Sequence, residues 1–122
     1  MLGYITLGTN NFEAACAFYD ELFGSIGHSR IFELDGYVAW GVSMEHPSVC
    51  VTRPFNGEPA SAGNGVMVAM QMPSKEAVDA FYLKAIELGA SDEGAPGPRG
   101  EGFYAGYFRD LDGNKLNAFI FA

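Results

Sequence analysis

GVMVAMQMPSKEAVDAFYLKAIELG, spanning Gly65–Gly89, decides the fold, because at an offset of 63 positions it repeats the chain's opening, MLGYITLGTNNFEAACAFYDELFG, Met1–Gly24. Glu76, Ala77, Phe81 and Tyr82 fall on Glu13, Ala14, Phe18 and Tyr19. In each copy an alternating apolar strand passes through a polar turn into an amphipathic helix. Self-similarity at a fixed period marks repetition of one supersecondary unit. The chain is a tandem duplication, and functional residues are sought where the copies place equivalent positions.

Working outward, alternation of Tyr4, Thr6 and Gly8 against Ile5 and Leu7 predicts a strand over Gly3–Thr9. Asn10 or Asn11 caps the helix that follows, with capping-box spacing from Asn10 to Glu13. Phe12, Ala15, Tyr19 and Leu22 form its apolar face, and Gly24–Gly27 stops it. Strands are predicted at Ser29–Glu33, Tyr37–Val42 and Ser48–Arg53, separated by the turn signals Asp35-Gly36 and His46-Pro47. In copy two, a strand over Val66–Met72 turns at Pro73-Ser74 into a helix with the face Val78, Phe81, Tyr82, Ala85 and Leu88, ended by Gly89. Ser91–Gly102, dense in Gly and Pro, reads as a loop. Strands Phe103–Arg109 and Lys115–Phe121 flank the turn Asp110–Asn114. Gly36–Trp40 lies over Gly102–Gly106 at an offset of 66, and Val49–Val51 over Leu116–Ala118 at 67. The expectation is one domain over residues 1–122: module one at 1–57, a connector at 58–64, and module two at 65–122. Each half alone is too small to close a core of its own.

A chain of 122 residues, 48% hydrophobic and 18% charged, has the composition of a globular domain that buries a real core. No run approaches a membrane span, and the start Met1-Leu2-Gly3-Tyr4 has no basic region or cleavage site, so a cytoplasmic address is expected. Cys16 and Cys50 are too few for a disulfide framework and read as reduced, buried thiols. Seven basic against fifteen acidic residues give a net charge of −8, which repels phosphate backbones and argues against nucleic acid as a partner. A cationic small molecule is electrostatically welcome. The chain carries no Gly-x-Ser-x-Gly, phosphate loop or His-Glu-x-x-His motif, which removes most hydrolase and nucleotide chemistry.

A duplicated βαβββ unit with the pieces Thr6-Leu7-Gly8-Thr9-Asn10, Ala17-Phe18-Tyr19, Arg53-Pro54-Phe55-Asn56-Gly57, Gly63-Asn64-Gly65 and the turn Asp110-Leu111-Asp112-Gly113-Asn114 resembles the glyoxalase / bleomycin-resistance / extradiol-dioxygenase superfamily, the vicinal oxygen chelate fold. The resemblance implies an α+β fold of two tandem βαβββ modules, with curled mixed sheets around a central cleft and helices on the outer faces. It also implies a homodimer and, in the family's enzymes, a divalent metal held by His and Glu from equivalent strands of both modules.

The family's ligand positions fall on Tyr4 and Cys50 in copy one and on Met67 and Asn117 in copy two, so no metal and no cofactor is expected. His28 and His46 sit outside the strands and read as solvent-facing loop residues. Asp110, Asp112 and Asn114 have calcium-loop spacing, but Lys115 and Phe121 stand where that loop needs Gly and Glu, so a hairpin turn is expected. Strand parity places Thr6 beside Tyr4, Gln71 and Ala69 beside Met67, and Lys115, Phe119 and Phe121 beside Asn117. Tyr4, Thr6, Cys50, Met67, Gln71, Asn117 and Phe119 either line a small-molecule pocket or fill a core, and three uncharged polar groups facing inward favour the pocket. Trp40, Tyr104 and Tyr107 are further aromatic candidates at its mouth. Arg53 and Arg109 end equivalent strands and either touch an anionic group or pair with nearby acids. A lid, if present, falls in Asp92–Gly102.

Two functions follow. The first is a metal-free binding module for an aromatic or cationic small molecule, similar to the bleomycin-resistance branch. The second is a divergent lyase, isomerase or dioxygenase-like enzyme using Tyr4 as acid/base or Cys50 as nucleophile, which the chain equips with no obvious activating group. A protein without ligand is the third, blander option.

Overall fold

The computed structural model describes residues 1–122 as two helices and eight strands in two compact units, Met1–Ser61 and Ala62–Ala122. Unit one contains β1 (Tyr4–Gly8), α1 (Phe12–Gly24), β2 (Ser29–Leu34), β3 (Tyr37–Gly41) and β4 (Ser48–Thr52). Unit two contains β5 (Val68–Gln71), α2 (Lys75–Glu87), β6 (Ser91–Pro98), β7 (Phe103–Arg109) and β8 (Lys115–Phe121). Each is a βαβββ module with one mixed four-stranded sheet, ordered β1-β4-β3-β2 and β5-β8-β7-β6. The first and last strands of each module pair in parallel and the other neighbours antiparallel. Neither helix is long and apolar enough to cross a membrane.

The duplication is exact in length through the helices. Phe12–Gly24 and Lys75–Glu87 each have 13 residues, and their caps, Asn11 and Ser74, each accept a hydrogen bond from the third helical amide, Ala14 N at 3.1 Å and Ala77 N at 3.0 Å. Such caps satisfy amides that have no partner within the helix. Asn10 does something else: its amide donates to Ala60 O at 3.0 Å and its carbonyl accepts from Ala60 N at 2.7 Å. That pincer holds the end of the first unit against the start of its helix.

Each helix covers one face of its own sheet. Leu7, Val38, Trp40 and Val51 meet Ala15, Phe18, Tyr19, Leu22 and Phe23 in unit one, all of them buried. In unit two Phe108, Leu116 and Ala118 meet Val78, Phe81 and Ala85, also buried. Burying one such large side chain stabilises a fold by roughly 1.5–3 kcal/mol, which favours the helix-on-sheet layer over either element alone. Phe81 and Phe108 lie 6.1 Å apart, as Tyr19 and Trp40 lie at 5.6 Å in the other copy.

Two expectations are corrected. Ser91–Pro98 is not a loop: it is the edge strand β6, paired to β7 with register shifts between Asp92 and Gly94 and between Gly94 and Gly97. Pro96 and Pro98 are tolerated because an edge strand needs only one row of ladder bonds. The offset of 66 between the third strands is also wrong. Cys50 pairs with Ala39 and its counterpart Asn117 with Tyr107, so Trp40 corresponds to Phe108 at an offset of 68. Strand ends differ elsewhere by a residue or two, most at β5, where Val66 N donates to Gly63 O at 3.2 Å and a turn replaces the start of the strand.

Candidate functional site

Pairing fixes which side chains share a face, since alternate strand residues point to opposite sides. In module one Thr6, Cys50 and Ala39 lie side by side, and Tyr4 is opposite Ser48, all on the face that α1 leaves uncovered. A hollow of about 360 Å³ opens there, bounded by Tyr4, Phe32, Leu34, Tyr37, Met44 and Cys50. Tyr4 is 63% exposed and Met44 71%, whereas Cys50 is a buried free thiol at the floor. Burial, and then the hydrogen bond to Cys50, push the Tyr37 phenol well above its ordinary value. It stays protonated and serves as a hydrogen-bonding wall rather than a base.

Trp40 is not at a pocket mouth. It is 2% exposed on the helix-covered face, packed on Tyr19 and Phe23, and its indole donates to Asp20 Oδ1 at 2.9 Å. Tyr104 is likewise displaced from the expected site. Its hydroxyl donates to Asp79 of α2 at 2.7 Å, and Lys75 of the same helix lies over its ring. Both errors have one cause: with an even register these residues share parity with the core positions of their strands, not with Ala39 or Tyr107.

In module two Ala69, Asn117, Tyr107 and Gly94 form one row across the uncovered face, and Gln71, Phe119, Ala105 and Gly97 form the next. Gln71, Asn117, Phe119 and Tyr107 are therefore together on one side, while Met67 lies just ahead of β5 and meets Lys115 at the rim of a hollow. Asn117 is 1% exposed, and its carbonyl oxygen has no hydrogen-bond partner. An acceptor buried without a donor costs about 1–3 kcal/mol, so it marks a place where a donor belongs. The ring of Tyr107 has Arg99 at 5.4 Å and Lys115 at 5.5 Å from its centroid. Arg109 bonds Glu93 and donates to Gly113 O at 3.0 Å. Met67, Lys115 and Arg109 bound a further hollow of about 460 Å³ with the Ala62–Val66 segment.

The divalent metal that the resemblance implies does not fit these donors. Tyr4, Cys50, Met67 and Asn117 offer a phenol, a thiol, a thioether and a carboxamide, and no three His, Cys, Asp or Glu side chains anywhere in the structure converge on a point. His46 is exposed and accepts or donates at 2.7 Å to Ser43; His28 is half-buried just before β2, where burial pushes its imidazole down. Asp110 spends its carboxylate on the β7–β8 turn, accepting from Asp112 N, Asn114 N and Asn114 Nδ2.

Sequence reasoning missed Phe32, Leu34, Tyr37 and Met44 in the module-one hollow and Arg99 on the ring of Tyr107. The period-2 parity that placed Thr6 would have placed Tyr37 and Phe32, given the pairing of β3 with β4 and β2. Arg99 folds back over Gly94 and Gly97, where a side chain would stand about 3.2 Å from its guanidinium, and nothing local in the sequence signals that. The segment Asp92–Gly102, where a lid would fall, is for most of its length the hydrogen-bonded strand β6.

The Glyoxalase/Bleomycin resistance protein/Dioxygenase superfamily matches residues 1–118. The chain is similar to the crystal structure of a glyoxalase/bleomycin resistance protein from Albidiferax ferrireducens T118, with 32% identity and a TM-score of 0.88 over 98% of this chain and 97% of that one. A glyoxalase/bleomycin resistance protein/dioxygenase family enzyme from Burkholderia phytofirmans PsJN has a similar fold, with 19% identity and a TM-score of 0.81 over 98% of each chain. So has a lactoylglutathione lyase from Agrobacterium tumefaciens, at 21% identity and a TM-score of 0.71 over 98% of this chain and 92% of that one. No curated protein matches the sequence.

Proposed function

Because the chain belongs to the glyoxalase/bleomycin resistance protein/dioxygenase superfamily, we propose that it is a binding protein that takes a small molecule on the sheet faces its helices leave uncovered, without a divalent metal. The observation that carries this reading is the hollow of about 360 Å³ on module one, whose walls are aromatic and apolar and whose polar groups are few. That size and composition suit a small ligand, and an apolar surface left exposed on a monomeric face marks a contact site. The unsuitable donor set supports the metal-free part. Two free buried thiols support a cytoplasmic setting, and family resemblance supports a homodimer.

The enzyme reading gains no observation of its own. Cys50 is 1% exposed with Tyr37 against it, which suits a packed thiol better than a nucleophile. Isothermal titration of the whole protein with bleomycin and a panel of neutral, cationic and anionic aromatics tests the proposal, alongside elemental analysis and native mass spectrometry. At least one ligand is expected to bind below the millimolar range to metal-free protein, with affinity lowered about tenfold or more by Tyr4→Ala together with Met44→Ala. Absence of any such binding, or a stoichiometric divalent ion in the purified protein, overturns it.

A further inference from the structure

The uncovered face of module two is cationic, although the chain as a whole carries −8. Arg99, Arg109 and Lys115, three of the seven basic residues, reach this one face. Arg99 and Lys115 make no ion pair; each lies against the same tyrosine ring, and Arg99 also donates to Ala95 O at 2.7 Å. Glu93 pairs with Arg109 and acts on Lys115 through space, so one carboxylate faces three cations here, and the Asp110 carboxylate is turned into its own hairpin. At physiological salt, charges further than about 8 Å away are largely screened. The local cations therefore decide which ligand charge is favoured, and the chain's net charge does not.

Two other features narrow the ligand. Asn117 presents a fully buried carbonyl oxygen with no donor, on the same side as Lys115 and two residues along the strand. Residues at that spacing lie about 7 Å apart. Tyr107, directly across the ladder from Asn117, supplies a ring against which a flat molecule can stack. Beyond Lys115, the hollow of about 460 Å³ gives space at the cationic end.

We propose that module two binds a flat aromatic acid, its carboxylate at Lys115 and Arg109 and a hydroxyl or amino hydrogen at its far end donated to Asn117 Oδ1. A benzene ring substituted at opposite ends suits the two-residue step from Lys115 to Asn117 along the strand. Lys115 forms the flexible cover that moves to admit the ligand, since its ammonium lies against the Tyr107 ring and in the field of Glu93 without making an ion pair. Charge-assisted bonds to a carboxylate are about twice as strong as neutral ones, so acid should be preferred over its amide. This inference rests on the reading that uncovered sheet faces bind small molecules, but it concerns a different hollow and commits to an anionic ligand.

The test is titration of the whole protein with 4-hydroxybenzoate, benzoate, 4-hydroxybenzamide and tyramine, at low and at physiological salt. 4-Hydroxybenzoate is expected to bind at least tenfold more tightly than the amide or the amine, and more weakly as salt rises. Lys115→Gln should remove that preference. Asn117→Leu, which keeps the branching of the side chain and deletes the unpartnered oxygen, should abolish the advantage of 4-hydroxybenzoate over benzoate. Equal binding of acid and amide, or an acid preference unaltered by Lys115→Gln, overturns the proposal. If the acids fail while other aromatics bind at Tyr4 and Met44, the module-two inference falls and the binding function stands. If nothing binds, both fall.

Discussion

Trp40 and Asp20 are joined by a 2.9 Å hydrogen bond from the indole to Oδ1, across the layer between β3 and α1. The same carboxylate receives two bonds from Arg30, each 2.8 Å. One aspartate on the helix thus fixes both a core indole and an edge-strand guanidinium. Asp20→Ala leaves the buried indole hydrogen without an acceptor and is expected to cost about 1–3 kcal/mol in urea unfolding. Asp20→Asn keeps an acceptor and should cost less.

The Arg30 hydrogen bond, helped by that of Trp40, holds the Asp20 carboxyl below its ordinary value of 3.8. A carboxyl lowered by folding contributes stability that is whole above the unfolded value and disappears as pH falls through the lower folded one. Stability of the native sequence should therefore drop more steeply below about pH 4 than that of Asp20→Asn. Parallel acid-unfolding curves for the two proteins check this, and equal slopes refute it.

Adjacent asparagines have separate duties at the start of α1. Asn11→Ala removes the cap and should destabilise the protein by about 1 kcal/mol. Asn10→Ala should leave the helix intact and free the Pro54–Ser61 segment from its double bond to Ala60. Limited proteolysis distinguishes them: faster cleavage in that segment is expected for Asn10→Ala only.

Pro96 lies over Gly106, so that a β-carbon at residue 106 would stand 2.8 Å from the proline ring. Val38 occupies the corresponding place in module one and is buried under α1. Gly106→Val should therefore cost about 1–3 kcal/mol by overpacking. Adding Pro96→Ala should return at least about 1 kcal/mol of that loss, a coupling that a thermal-denaturation double-mutant cycle measures directly.

Asp110 is 5% exposed and organises the β7–β8 turn through three donated hydrogens. Asp110→Ala strands backbone amides and should destabilise by about 2 kcal/mol or more, with the largest gain in amide exchange at Asp112 and Asn114. An unchanged exchange rate there would count against the turn's dependence on this side chain.

The helices were legible in the sequence because their signal is local: a cap, an apolar stripe of period 3.6 and a terminating glycine, repeated at 63 positions' remove. The strand β6 was not, because Gly94, Pro96, Gly97 and Pro98 carry loop chemistry and only their partner β7 makes them a strand. The same division holds for the candidate site. Parity along single strands put Thr6, Gln71, Asn117 and Phe119 on faces that the helices leave uncovered, while Trp40 and Tyr104 needed knowledge of which alternate set faces the helix. Of the two cations on Tyr107, Arg99 arrives by a fold-back over two glycines, a tertiary contact with no periodicity to betray it.

The prolines of β6 have a consequence for the protein in company. The outer rim of an open sheet is a template onto which a stray strand from another molecule can be zipped, seeding aggregates. Pro96 and Pro98 offer no amide hydrogens for such a zipper, and the register shifts at Gly94 and Gly97 break the straight run it would require. On this border, the residues that hid the strand from view also keep it from recruiting neighbours.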